Sequence, residues 1–137
     1  MTTIVTDEGF GPDTWTSGYA ALGAANDAEA LDIPSDADPA DVPLCEGLQM
    51  IRIDFPSSAD GRGFTIARAL RLRGYTGRLR ARGYVLADQY AMARRAGFDE
   101  VEIDAALAER QPQDQWLFRA DWQSHNYQAR LRGQTAG

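Results

Sequence analysis

The chain has 137 residues, and we expect residues 1–137 to form one domain with a single hydrophobic core. A hydrophobic share of 44% and a charged share of 25% are typical of a globular protein, and no apolar stretch reaches the length of a membrane span. One cysteine, one histidine and no lysine exclude a disulfide within the chain, a cysteine or multi-histidine metal site, and Schiff-base chemistry.

The net charge of −6 is unevenly distributed. Residues 1–51 carry ten acids and no base, whereas residues 52–137 carry ten acids and 14 arginines. An acidic chain is a poor binder of nucleic acid. We therefore expect the acidic front to complement the arginine-rich remainder, within the chain or across a subunit contact. No signal peptide opens the chain, which predicts a cytoplasmic location.

The first 28 residues read as an N-terminal arm. Residues 4–6 predict a short edge strand, and Trp15 and Tyr19 are expected to anchor the arm on the body. Residues 30–34 predict the first strand of that body.

A strand, a loop and a helix follow between residues 48 and 73. The apolar run at 50–55 is too short for a helix and ends at Pro56, which has no amide donor for a strand ladder. A helical pattern starts at Phe64. Its apolar side is predicted to hold Ile66, Ala69, Leu70 and Leu72.

The loop between them suits an anion. Gly61 and Gly63 allow positive φ, Asp60 is the expected N-cap, and Arg62 adds a planar charged fork. Free N–H groups at a helix start bind phosphate, sulfate or carboxylate. The structural alternative is that Asp60 caps those N–H groups and Arg62 pairs with a nearby carboxylate.

Two more strand–helix units follow. Residues 78–82 predict a strand with buried arginine stems and charged heads at its ends. Residues 85–96 predict a helix that ends at Gly97 and includes Met92 on its apolar arc. Gln89 lies in the middle of that arc, so it is either a structural tie to a neighbouring loop or a site residue.

Residues 98–103 predict the next strand, and Asp104 is expected to cap a helix at 105–110. This alternation, at about 25-residue spacing, predicts an α/β fold with a small parallel sheet of three to four strands and crossover helices. An open doubly wound sheet and half of a β/α barrel both fit the pattern.

A C-terminal helix is predicted at about residues 113–131, with two apolar stripes on nearly opposite sides. One stripe can pack on the sheet. The second includes Phe118 and Trp122 and needs either the N-terminal arm or another subunit, so we expect a homodimer that buries both side chains.

Ligands of parallel α/β folds gather at the carboxyl ends of the strands. The predicted ligand-binding residues there are Asp54, Ser57, Asp60, Gly61, Arg62, Gly63, Arg82 and Gln89. The carboxylates among them suit acid–base work or simple charge pairing. No nucleophile with its base stands out, so the sequence assigns no catalytic residue, no metal site and no cofactor.

Residues of this core match a known pattern at set spacings. They are Phe55-Pro56-Ser57, Ala59-Asp60-Gly61-Arg62-Gly63-Phe64, Ala67-Arg68 with Leu70-Arg71, Gly77, Leu79-Arg80-Ala81, Gly83, Val85-Leu86, Asp88-Gln89 and Gly97-Phe98-Asp99. Over about residues 48–104 the chain resembles a small uncharacterised bacterial family that is encoded beside sulfite reductase in assimilatory sulfate-reduction operons. The chain departs from that family at Ser58, where an aromatic is common, and at Tyr84, where a polar residue such as Asp is usual.

The resemblance implies cytoplasmic sulfur assimilation and sulfite reductase as a partner, but no established reaction. Members are often labelled oxidoreductases, yet Ile66 stands where a dinucleotide fingerprint needs its third glycine. Two functions follow. One is a non-catalytic accessory of sulfite reduction that senses an oxyanion through its loop; the other is a small enzyme acting on an anionic sulfur metabolite or cofactor precursor.

Overall fold

A computed structural model describes residues 2–21, 29–44 and 46–120. Its centre is a seven-stranded sheet built from those residues. The strands are β1 (Thr2–Thr6), β2 (Gly9–Gly11), β3 (Ala20–Ala21), β4 (Ala30–Ile33), β5 (Met50–Phe55), β6 (Arg78–Gly83) and β7 (Glu100–Asp104). Their order across the sheet is β2-β1-β7-β6-β5-β4-β3. Strands β3 to β7 are parallel, and β1 runs antiparallel to both β2 and β7.

The parallel strands follow one another in chain order, so no crossover reverses direction. Right-handed crossovers that all step the same way place their helices on one face of the sheet. The sheet is therefore open and singly wound, which corrects the doubly wound alternative and the expected three to four strands. The extra strands come from the N-terminal arm, and β1 lies inside the sheet rather than at its edge.

The first helix, α1 (Arg62–Leu72), buries Gly63, Ile66, Ala67 and Leu70. Leu72 was expected on this side, but it is 82% exposed. A residue two positions beyond Leu70 lies about 200° around a helix, so it cannot share the buried face.

The second helical segment is shorter than the predicted 85–96. A 3-10 turn at Ala87–Gln89 leads into α2 (Tyr90–Ala96), which ends at Gly97 with φ 117°, as expected for a glycine C-cap. The expected placement of Met92 on the apolar arc is wrong, because its side chain is exposed.

The last described helices are α3 (Ala105–Arg110) and α4 (Gln113–Arg119). The α3 bounds equal the predicted ones, and the Asp104 carboxylate accepts a hydrogen bond from the Leu107 N–H at 2.8 Å. Trp116 of α4 is buried against Tyr90 of α2. The remainder of the predicted C-terminal helix, with Trp122, lies outside the described residues.

Side chains alternate between the two faces of the sheet. One face packs under the helices in a continuous apolar core that includes Ile51, Ile53, Leu79, Ala81 and Val101. The opposite face carries charged side chains. Within the described ranges, no helix is both long and apolar enough to cross a bilayer.

Candidate functional site

The charged face carries an ordered set of arginines and carboxylates, which we call the arginine–carboxylate ladder. Its members are Asp32, Arg52, Asp54, Arg78, Arg80, Arg82, Glu100 and Glu102. Strand register sets two cross-strand rows: Asp32, Arg52, Arg80 and Glu100 in one, and Asp54, Arg82 and Glu102 in the next. In the first row the like charges of Arg52 and Arg80 are neighbours, and each has a carboxylate on its other side; in the second row Arg82 lies between two carboxylates.

Arg80 is the centre of the ladder and is fully buried. Its Nε donates to Glu100 Oε2 at 2.7 Å, its Nη1 to Glu102 Oε1 at 2.8 Å and its Nη2 to Asp13 Oδ1 at 3.0 Å. Burial acts to lower the pKa of Arg80, but these carboxylates outweigh it and raise the pKa above its usual value. The guanidinium therefore stays charged inside the fold.

Arg52 and Arg78 are held by similar contacts. Arg52 donates from Nε and Nη2 to the two oxygens of Asp32, at 3.2 and 2.6 Å, and from Nη1 to Glu102 Oε1 at 3.2 Å. Arg78 Nη2 donates to the two Glu100 oxygens at 2.8 and 3.0 Å. Each of these guanidiniums is fixed by several charge-assisted hydrogen bonds.

Residues 12–19 link β2 at one edge of the sheet to β3 at the other, and they cover this ladder. Asp13 binds Arg80, and Trp15 lies near the Arg78 guanidinium. The Tyr19 ring stacks on Arg52, with 3.8 Å from the guanidinium carbon to the ring centroid. Trp15 and Tyr19 thus contact the rest of the domain, as the sequence predicted. The acidic N-terminal residues and the arginine-rich remainder meet within the chain at the Asp13–Arg80 pair.

The Tyr19 hydroxyl is buried, and within the described part of the chain it has no hydrogen-bond partner. Burial raises the pKa of Tyr19, against the opposing charges of Arg80 and Arg52. Tyr19 therefore contributes its ring to the Arg52 contact while its hydroxyl stays unsatisfied.

A cleft of about 350 Å³ opens at the carboxyl ends of β5, β6 and β7. It is lined by Thr2, Asp54, Phe55, Pro56, Arg82, Gly83, Tyr84, Glu102, Ile103 and Asp104. The sequence predicted a site at this edge of the sheet. Asp54 and Arg82, two of the predicted site residues, lie side by side in this cleft.

The Asp54–Arg82 pair is loose compared with the rest of the ladder. Arg82 Nη1 lies 3.6 Å from Asp54 Oδ1, and Arg82 Nε lies 3.5 Å from Glu102 Oε2. The Arg82 and Asp54 side chains are 47% and 39% exposed, whereas Glu102 beneath them is buried and already binds Arg52 and Arg80. The cleft therefore presents the loosely paired, accessible Arg82 and Asp54 above a neutralised floor, and its lining also includes the exposed Asp104, whose Oδ1 accepts the Leu107 N–H.

The other predicted residues of the loop form a separate group. Arg62 donates from its backbone N–H and from Nε to Asp60 Oδ1, at 3.1 and 3.0 Å, and from Nη2 to Asp60 Oδ2 at 2.7 Å and to Ser35 Oγ at 3.0 Å. Hydrogen bonds from Arg62 hold the pKa of Asp60 well below its usual value. Arg62 thus pairs with a nearby carboxylate, as in the structural alternative considered for the loop, and that carboxylate accepts one N–H group at the helix start. Ser57 accepts the Asp60 N–H through its carbonyl oxygen at 3.1 Å.

The two loop glycines have other roles than expected. Neither has a positive φ; Gly61, rather than Asp60, is the N-cap of α1, with φ −90°. Gly63 is the second residue of α1, and a Cβ there would overlap the Phe55 ring. Glycine at position 63 is thus required for close packing of helix on strand.

Gln89 is a structural tie. Its Oε1 accepts the Leu86 N–H at 2.9 Å, and its Nε2 donates to the Ser58 carbonyl oxygen at 2.9 Å. Both polar groups of the amide are satisfied, so Gln89 fixes the loop after β5 to the start of the second helical segment.

The ladder is the feature that sequence reasoning missed. Its signal is present as strict alternation: Arg78, Arg80 and Arg82 in β6, and Glu100 and Glu102 in β7. The expectation that the arginine heads lie at the strand ends is wrong, because Arg80 is buried in mid-strand with its head paired. Charges at every second residue indicate a face that is polar along its whole length.

Among the described residues, no group of three or more His, Cys, Asp or Glu is arranged to hold a metal ion. A second depression of about 360 Å³ lies between the 3-10 turn and α4, lined by Ala87, Asp88, Asp114, Gln115, Phe118 and Arg119. Phe118 in its wall is 70% exposed.

No curated protein and no solved structure is significantly similar to the chain. The sequence model of a bacterial protein family of unknown function, DUF934, matches residues 30–136, which include β4 to β7, the ladder and every residue of the cleft lining except Thr2. The match begins after residues 2–21, which form β1 to β3 and the cover over the ladder. The chain belongs to this family of bacterial proteins of unknown function.

Proposed function

We propose that the protein is a cytoplasmic, non-catalytic accessory of assimilatory sulfite reduction that binds a small polar ligand in the cleft at the strand ends. The metabolic setting comes from the family resemblance over residues 48–104. The location of the ligand comes from the half-exposed Arg82 and Asp54, which are the observation that carries the binding role.

The carboxylates around the cleft support binding rather than acid–base catalysis. Glu102 accepts hydrogen bonds from Arg52 and Arg80, and Asp104 caps α3 by accepting the Leu107 N–H. Arg82 and Asp54 are loosely paired and accessible in the cleft wall, and two such opposite charges suit recognition of a ligand.

Oxyanion binding by the loop remains a prediction, and it would require the Asp60–Arg62 ion pair to open. An oxyanion would have to displace the Asp60 carboxylate, which already accepts both the Arg62 guanidinium and its backbone N–H. Sulfate that raises the melting temperature of the natural chain but not of Arg62→Ala would support the loop. Equal rises in the melting temperature of the natural chain and of Arg62→Ala would refute oxyanion binding by the loop.

The partner proposal is tested with sulfite reductase and the full chain, by calorimetry and pull-down at low and high salt. Asp36, Asp38 and Asp41 are exposed acids near a 3-10 turn at Pro39–Asp41, and rim charges of this kind act mainly on the association rate. We expect binding that weakens with salt, and slower association for the triple Asp→Asn variant.

The matched control changes the same charge elsewhere, as Asp88→Asn, Glu109→Gln and Asp114→Asn, all exposed on the helical side. It should associate at the natural rate. No binding at low salt would overturn the accessory role. Nuclear magnetic resonance can monitor whether the protein alone converts a sulfur compound. Such a conversion would favour the alternative of a small enzyme acting on an anionic sulfur metabolite or cofactor precursor.

A homodimer is a further part of the proposal, supported by the exposed Phe118. Light scattering should give twice the chain mass at micromolar concentration, and Phe118→Ser should reduce it to the monomer mass. A monomer for the natural chain, or a dimer that survives Phe118→Ser, would contradict it.

A further inference from the structure

Arg82 differs from the other arginines of the ladder. Arg52, Arg78 and Arg80 each donate several hydrogen bonds to carboxylates. Among the described residues, Arg82 has only two ion pairs, at 3.5 and 3.6 Å, both longer than a hydrogen bond. Glu102 is shared among three arginines: Arg80 and Arg52 donate to its Oε1 at 2.8 and 3.2 Å, and Arg52 also donates at 3.3 Å to Oε2, the oxygen nearest Arg82.

Asp54 is the anionic counterpart of Arg82 at the same edge. It ends the second ladder row at β5, its side chain is 39% exposed, and its contact with Arg82 is the 3.6 Å pair. A guanidinium with up to five donors and a carboxylate with two acceptor oxygens therefore face one cleft, side by side and both accessible.

This juxtaposition discriminates between classes of ligand. A simple oxyanion on Arg82 would meet the negative charge of Asp54, and a simple cation on Asp54 would meet the positive charge of Arg82. A molecule that carries a carboxylate and an ammonium on neighbouring atoms satisfies both groups at once.

The walls of the cleft suit a small organic body. Pro56 and the half-exposed ring of Tyr84 border it, with Ile103 buried beneath. A volume of about 350 Å³ lies at the small end of the range of ligand pockets, roughly 300–1,000 Å³. An aromatic ring in the wall favours apolar ligand groups.

The geometry points to a binding site for a free α-amino acid or a similar small zwitterion, with its carboxylate on Arg82, its ammonium on Asp54 and its side chain against Tyr84. This inference rests on the proposed function for the location of the ligand, and it adds the ligand's chemical class.

The test is calorimetry on the full chain with free α-amino acids, L-methionine among them. Each amino acid that binds is compared with its N-acetyl derivative, which lacks the ammonium, its methyl ester, which lacks the carboxylate, and inorganic sulfate. We expect saturable binding of at least one free amino acid and a loss of roughly tenfold or more for each comparison compound, since a charged hydrogen bond is lost each time.

Two variants separate the charges. Asp54→Asn should lose the preference for the free amino acid over the N-acetyl form, and Arg82→Gln should lose the preference over the methyl ester. Arg68→Gln, an exposed arginine on α1, is the matched control and should bind as the natural chain does. Tyr84→Ala, at an exposed side chain, should weaken binding with the fold intact by circular dichroism.

Failure of any free amino acid to bind at millimolar concentration would overturn the inference, as would equal binding of sulfate or of the blocked derivatives. A chain that binds sulfite reductase but no amino acid would refute the inference alone. A chain that binds an amino acid but not sulfite reductase would refute the accessory role alone.

Discussion

Both faces of the sheet bury side chains, but by different means. Under the helices, Ile51, Leu79 and Val101 pack in an apolar core. On the opposite face, Arg80 is equally inaccessible, but its burial depends on carboxylates from β7 and from residues 12–19. Adjacent residues of one strand, Leu79 and Arg80, thus belong to two different kinds of interior.

The difference teaches what each face contributes. Apolar burial stabilises the fold roughly in proportion to area and tolerates shifts of packing. Buried ion pairs add little net stability, because desolvation offsets the attraction, but each pair demands its partner. Since a one-residue slip would turn every arginine towards the helices, the ladder fixes strand register and thereby the positions of Arg82 and Asp54 in the cleft.

The largest effect is expected for Arg80→Met. It leaves buried Glu100 and Glu102 with too little positive charge, and we expect a loss of about 3–5 kcal/mol in the free energy of unfolding, measured with urea. Adding Glu102→Gln should restore part of it.

Leu79→Ala is the matched change on the apolar face. It should lower the free energy of unfolding by about 2–5 kcal/mol, because it leaves a cavity in the core. Glu102→Gln should not rescue this variant. If Arg80→Met costs less than about 1 kcal/mol, the ladder behaves as a surface ion pair and the comparison fails.

The next effect tests how closely the helical face is packed. Gly63→Ala would push a methyl group into the Phe55 ring, and overpacking of this kind costs about 1–3 kcal/mol. Gly11→Ala in β2 is the control, because a Cβ there meets no atom within 4 Å. Equal unfolding free energies for the two variants would show that α1 can shift to make room.

Two Tyr→Phe changes distinguish a satisfied hydroxyl from an unsatisfied one. The Tyr90 hydroxyl donates to Asp7 Oδ1 at 2.6 Å, so Tyr90→Phe should cost about 1–2 kcal/mol in urea unfolding. Tyr19→Phe removes a buried hydroxyl that has no partner in the described part of the chain, and should be neutral or stabilising by up to about 1 kcal/mol. A clear loss for Tyr19→Phe would mean that its hydroxyl has a partner in solution.

The smallest effect concerns pH and the cover over the ladder. Burial acts to raise the pKa of Asp13, but hydrogen bonds from the Arg80 side chain and the Trp15 backbone N–H outweigh it and lower the pKa below its usual value. A depressed folded-state pKa contributes stability above the unfolded-state value, near 3.9, which is lost as the pH falls through the folded-state pKa.

Asp13→Asn should therefore lower the free energy of unfolding by up to about 1 kcal/mol at neutral pH. The difference in unfolding free energy between the variant and the natural chain should shrink below pH 4. Glu109→Gln, at an exposed acid on α3, is the control and should show no such pH-dependent gap. A constant gap for Asp13→Asn across the pH range would mean that its carboxylate charge does not hold the cover.

The sequence by itself determined most local elements. Short strand-like runs between turn residues located β4 to β7, the left-handed Gly97 ended α2, and Asp104 with its cap defined α3. These features depend on neighbours a few residues away, so local propensity and capping suffice. The edge where Asp54 and Arg82 meet also followed, since parallel strands bring their carboxyl ends together.

Only the tertiary structure decided which charges pair. Asp13 reaches Arg80 across 67 residues of sequence, and Glu102 binds both Arg52 and Arg80 because strand order and register place them side by side. The sequence contains 20 acids and 14 arginines, and spacing alone does not rank the possible partners of any one arginine. Arg62 found its carboxylate within the loop, while Arg82 kept only distant ones, because close ion pairs require three-dimensional positions that spacing alone cannot supply.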